Sequence, residues 1–183
     1  MNVFISGGCK NGKSMYAQRI SKEMSQEKGV PLYYLATMIP TDDEDRERIV
    51  RHIGDREGWG FETIEQGVEI TKALEGGTDP KGSFLLDSVT ALLSNEMFHL
   101  DGTIDLTAGE RVCADLVDFA KKTGNTVFVS DYIYSDSRVF DHYTESYRKA
   151  LALIDRTLAK TCDKVIEVAF GHIYEYDNED IIK

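Results

Sequence analysis

Gly7-Gly8-Cys9-Lys10-Asn11-Gly12-Lys13-Ser14 is the stretch that decides the fold. It fits G-x-x-x-x-G-K-[ST], a pattern that a chain of 183 residues meets by chance with a probability of roughly one per cent. An apolar strand precedes it at residues 2–6, and a helical pattern follows from about residue 13 to 28. Gly7 and Gly12 permit the backbone angles that turn successive amides inward. The helix start behind the loop adds partial positive charge. Lys13 is suited to reach the β- and γ-phosphates of a nucleotide, and the Ser14 hydroxyl to ligate Mg²⁺. All eight residues, 7–14, are therefore nucleotide-binding candidates, with Lys13 also catalytic.

Outward from the loop, residues 32–36 read as a second buried strand. Thr41 and Glu44 have capping-box spacing, so a helix is expected to start there, with Ile49 and Ile53 on one face and Gly54 as its stop. A short helix is expected over 68–74, then a turn-rich stretch and a strand at 83–87. A helix with Val89, Leu92 and Leu93 inward follows, and residues 99–107 read as a loop. The rest reads as a helix to about 122, a strand at 126–130, irregular chain over 132–142, a helix near 144–160 and a strand at 164–170. Residues 172–176 are expected to add an edge strand, and 177–183 to fray. Strands alternating with helices predict a mostly parallel sheet covered on both faces. The expected architecture is one α/β domain over residues 1–183, a three-layer P-loop NTPase of the RecA-like kind.

Composition narrows the partners. A net charge of −11 argues against a broad nucleic-acid or anionic-membrane surface. The phosphate loop needs only local positive charge, so small molecules are the expected partners. Cys9, Cys113 and Cys162 are widely spaced, which predicts buried, inert free thiols and a reducing compartment. No apolar run is long enough to span a bilayer, and the N-terminus runs straight into a strand, so a cytoplasmic protein is expected.

A Mg²⁺ site also wants a carboxylate at the end of a neighbouring strand. Asp87 closes residues 83–87 and fits, with Asp131 a second candidate nearby. The Asn-Lys-x-Asp base-reading motif of regulatory GTPases is absent. The helix after Thr41 carries Arg46, Arg48, Arg51 and His52, with Arg48 and His52 four apart on one face. On composition alone that helix reads better as a solvated face balanced by Asp42, Asp43, Glu44, Asp45 and Glu47 than as a phosphate-handling one.

Taken in order, residues 7–14, Tyr34-Leu35-Ala36-Thr37, Asp43-Glu44, Arg48-Ile49-Val50-Arg51-His52, Arg56 and Trp59 resemble the cobinamide kinase/cobinamide phosphate guanylyltransferase family. Leu85-Leu86-Asp87-Ser88, with Asn95 on the following helix, is similar to that family's next block. Later segments depart from its pattern. The strand that usually ends in Asn-Glu is here Ser130-Asp131-Tyr132, and Asp155-Arg156 stands where an Asn-Gln pair is usual. The resemblance implies cobalamin biosynthesis: phosphorylation of adenosylcobinamide with ATP or GTP, then GMP transfer from GTP to the corrinoid phosphate through a guanylylated His52. It also implies that Arg48 and Arg51 neutralise phosphate charge, and that the chain forms a homo-oligomer, a trimer. Two other classes stay open on the sequence: a kinase of another small alcohol, and a nucleotide-dependent binding or regulatory protein without turnover.

Overall fold

Unbroken apolar runs such as Leu32-Tyr33-Tyr34-Leu35 and Val127-Phe128-Val129 suit strands buried on both faces, and they become the middle of one sheet. The computed structural model describes residues 1–134 and 138–176, and within them every side chain except those of Arg48 and Asp55. The strands are β1 (Val3–Gly7), β2 (Leu32–Ala36), β3 (Glu62–Glu65), β4 (Ser83–Asp87), β5 (Thr126–Asp131), β6 (Lys164–Ala169) and β7 (His172–Tyr176). They line up as β3-β2-β4-β5-β1-β6-β7, all parallel except the β6–β7 pair. The helices are α1 (Lys13–Lys28), α2 (Asp43–Asp55), α3 (Val89–Met97), α4 (Ala108–Thr123) and α5 (His142–Thr161), with a 3₁₀ turn at Ile70–Leu74. This is a three-layer α/β P-loop fold.

Successive strand residues point to opposite faces and build two cores. Phe4, Leu35, Phe84, Leu86 and Phe128 pack with α3, α4 and α5 on one side. Val3, Ile5, Tyr34, Leu85, Val127 and Val129 pack with Ala17 and Met24 of α1 on the other. Because β1, β2, β4 and β5 run the same way, their carboxyl ends share one edge. There Gly7 stands opposite Asp131, and Ala36 opposite Asp87.

Several expectations shift. The strand at 83–87 is the fourth, because Glu62–Glu65 pairs with β2 as an exposed edge strand. Its Glu-Thr-Ile-Glu sequence carries no apolar run that would announce it. The expected helix at 68–74 is a shorter 3₁₀ turn. The capping box of α2 is displaced by one residue. Asp42 accepts from the Asp45 N–H at 2.8 Å, and Asp45 accepts from the Thr41 N–H at 3.1 Å. A carboxylate at the third helical position serves the reciprocal bond as Glu44 was expected to. Ile49 lines a cavity and Ile53 is exposed, since α2 rides over the sheet's carboxyl edge instead of lying on its face. Cys113 is half-buried and Cys162 buried, but Cys9 is exposed in the loop. Residues 172–176 pair as expected, the expected fraying of 177–183 lies outside the described residues, and no described helix is long and apolar enough to cross a membrane.

Asp155 of α5 gives the fold a pH dependence. Its side chain is buried, and the Tyr134 hydroxyl donates to Oδ2 at 3.0 Å. Burial pushes its carboxyl up to about 6, against the pull of Ser130 and Tyr134. The native state then holds a proton that the unfolded chain has already released. Stability contributed by this group is therefore fully present below the ordinary carboxylate range and lost as pH rises to about 6. The loss is on the order of 2–3 kcal/mol. Melting temperatures of Asp155→Asn are expected to fall less than those of the parent between about pH 4 and 6. Parallel curves for the two proteins would contradict this.

Candidate active site

The phosphate loop is held open by its own residues. A Cβ at Gly7 would overlap the Val168 carbonyl and the Asn11 side chain, so only glycine fits. Gly12 adopts φ 91°, where glycine alone is unstrained, and starts α1. The Asn11 amide donates to the Val168 carbonyl, tying the loop to β6. Gly8 is half-buried, and Cys9 and Lys10 face solvent. Lys13 is buried, with Nζ 2.6 Å from the Gly8 carbonyl and 2.6 Å from Asp131 Oδ1. Asp131, read from sequence as a second metal carboxylate, is here the partner of the loop lysine.

Beside the loop, a cavity of about 660 Å³ opens between α2 and the ends of β2 and β4, a size that suits a small-molecule ligand. Ser14, Asp87 and His52 all line it. Residues 38 places apart in sequence, Ser14 and His52, thus share one wall-to-wall space. Met38, Ile39, Pro40 and Ile49 supply an apolar wall, which excludes water and strengthens charge interactions within. Arg51 is exposed on α2 and is not among the lining residues, and the side chain of Arg48 lies outside those described. Among the described residues, Arg46 and Arg56 are the guanidinium groups that line the cavity. Arg56 belongs to the family-like pattern in the sequence, with no role marked there. Its burial is a tertiary property that no local pattern carries.

Asp87 is the pivot. Burial pushes its carboxyl above the usual range, while the Ser14 hydroxyl, the charge of His52 and the Tyr34 hydroxyl pull it back. Tyr34 Oη donates to Asp87 Oδ2 at 3.3 Å, and burial with that carboxylate raises the phenol well above its ordinary value. A desolvated carboxylate beside the Ser14 hydroxyl is a donor set that fits Mg²⁺, whose charge would supply what burial withholds. Ser88, next along the chain, caps α3 through its hydroxyl and Thr37.

Three comparisons bear on this geometry. The sequence model described as "Cobinamide kinase / cobinamide phosphate guanyltransferase" matches residues 3–175. The chain is 25% identical over 185 residues to the bifunctional adenosylcobalamin biosynthesis protein CobU of Salmonella typhimurium (strain LT2), covering 93% of this chain and 97% of that one. With the protein of the same name from Escherichia coli (strain K12) it shares 30% identity over 106 residues, about half of each: 57% of this chain and 55% of that one. A Pyrococcus horikoshii OT3 protein superposes with a TM-score of 0.50 at 10% identity, over 95% of this chain and 84% of that one, which bears on the fold alone.

Proposed function

This chain belongs to the cobinamide kinase/cobinamide phosphate guanyltransferase family, and we propose on that basis that it works in cobalamin biosynthesis as a kinase and a guanylyltransferase. As the kinase it phosphorylates the terminal hydroxyl of adenosylcobinamide with ATP or GTP. As the transferase it moves GMP from GTP to the phosphate so made. The observation that carries this reading is the sharing of one cavity by Ser14, Asp87 and His52.

In the first reaction residues 7–14 cradle the phosphates with backbone amides, and Lys13 leaves Asp131 to neutralise the β/γ charge. Ser14 and Asp87 would hold Mg²⁺, which would supply further neutralisation of that charge. In the second, a neutral imidazole nitrogen of His52 attacks the α-phosphorus of GTP. The nitrogen–phosphorus bond forms, the α–β bridging bond breaks and pyrophosphate leaves. The corrinoid phosphate oxygen then takes the guanylyl group and frees His52. Imidazole suits this because its ordinary pKa leaves it largely unprotonated near neutral pH. One domain, a cytoplasmic setting and a homo-oligomer, a trimer, complete the proposal.

Adenosylcobinamide with ATP, then GTP, is expected to give first the phosphate ester and then the GDP-linked corrinoid, resolved by liquid chromatography. Turnover of another small alcohol in preference to cobinamide would replace this reading. Asp87→Asn keeps the shape and removes the charge. It is expected to raise the Mg²⁺ concentration for half-maximal rate and to slow turnover about 10²-fold, as metal-site losses do. An unchanged Mg²⁺ titration would reassign the metal carboxylate.

A further inference from the structure

Only Phe170 and Gly171 join β6 to β7, since Ala169 and His172 face each other across the pair. Both adopt positive φ, 52° for Phe170 and 77° for Gly171, the pattern of a tight two-residue hairpin turn. Such turns take Asn or Gly at the first position, because a bulky side chain is strained at positive φ. Phe170 is strained there and buries almost nothing in return. It is 97% exposed, more than any other large apolar residue among those described. A conformation that costs stability, held by a side chain that contributes no packing, points to a role outside the fold.

The place of the turn says which role. Val168 stands opposite Gly7 and its carbonyl accepts from Asn11, so the end of β6 is fastened to the phosphate loop. Phe170 follows two residues later, about 7 Å further along an extended chain and past the sheet's carboxyl edge. Sheet order then fixes the direction of a nucleotide held in the loop. β1 carries the loop, Asp87 ends β4 on one side of it, and the β6–β7 turn lies on the other. With Ser14 and Asp87 at the β/γ end, which rests on the proposed kinase reaction, the nucleoside leaves away from β4, on the β6 side. We infer that Phe170 is the stacking platform for the purine base of the phosphoryl donor, a binding contact of the kinase reaction alone. A flat, exposed ring accepts adenine and guanine alike, because every base has a π-face. The nucleotide of guanylyl transfer is oriented differently. Its α-phosphorus must meet His52 in the cavity over β2 and β4, on the far side of the loop from Phe170.

Calorimetry with Mg²⁺ tests this without turnover, using two probes: a β,γ-imido analogue of ATP, and inorganic triphosphate, which has the phosphates and no base. Phe170→Asn suits the turn better than the native residue, so its melting temperature is expected to equal or exceed the parental one. Its affinity for the imido analogue is expected to fall roughly 5–100-fold, the effect of losing one base–aromatic stack, with triphosphate affinity unchanged. Phe170→Trp is expected to keep parental affinity for both probes. In steady state, Phe170→Asn should raise KM for ATP in the kinase reaction with little change in kcat, and leave KM for GTP in guanylyl transfer as it was. Unchanged affinity for the imido analogue in Phe170→Asn overturns the inference. So does an equal loss for triphosphate, which would make the turn a support of the loop. Self-association that Phe170→Asn abolishes, with analogue binding intact, overturns it in favour of a contact between copies of this chain. Parental protein that binds neither probe overturns the phosphate-loop reading as well, so the two claims fail distinguishably.

Discussion

Lys13→Ala protein is expected to lose phosphoryl transfer by about 10²–10³-fold or more, the scale on which removal of one preorganised cation or donor slows such chemistry. Phosphoryl transfer asks little covalent work of a protein and much charge neutralisation, so the loop lysine carries a large share. The structure adds a cost in stability. Lys13 is buried against Asp131 at 2.6 Å, and its removal strands a carboxylate that is only 27% exposed. A loss of about 1–2 kcal/mol is expected, between the values for exposed and buried pairs. Lys13→Ala/Asp131→Asn should recover most of that stability and none of the activity. Thermal melts and a steady-state kinase assay on both variants check it. A Lys13→Ala protein with parental rates would contradict the phosphate-loop mechanism.

His52→Ala is expected to abolish guanylyl transfer, since no other imidazole lines the cavity among the described residues. A covalent route with its nucleophile removed falls to background, a loss of about 10⁴-fold or more. Phosphorylation of adenosylcobinamide should survive, because in the proposed mechanism residues 7–14 hold the nucleotide without His52. Assaying both reactions on one preparation checks the split. Equal loss of the two would mean that His52 supports the cavity as a whole, through its effect on Asp87, and is not the transferase nucleophile.

The phosphate loop and the strand ending in Asp87 could be read directly from the chain, because their chemistry depends on residues adjacent in sequence. The helix bearing His52 was legible as a helix, but its position was not. Ile49 and Val50 line a cavity rather than a core and Ile53 is exposed, so periodicity alone could not say what the helix covers. Edge strand Glu62–Glu65 escaped for the opposite reason, having one pairing partner and little to bury. Two departures from the family's usual pattern acquire a physical meaning only in three dimensions. Asp131 holds the loop lysine, and Asp155 is buried with its carboxyl pushed up to about 6. The match over residues 3–175 includes both. Arg56 was visible as a letter, and its burial against the ring of Tyr34 could appear only after folding.

The central claim is that His52 takes GMP covalently. The direct measurement is intact-protein and peptide mass spectrometry after incubation with GTP and Mg²⁺ in the absence of corrinoid. One guanylyl group is expected on the peptide containing Arg51-His52-Ile53. The bond should be cleaved by acid and survive alkali, as a phosphorus–nitrogen link to imidazole does. Addition of adenosylcobinamide phosphate should discharge it. An adduct that persists in His52→Ala, or no adduct in wild-type protein that turns over GTP, would contradict the account.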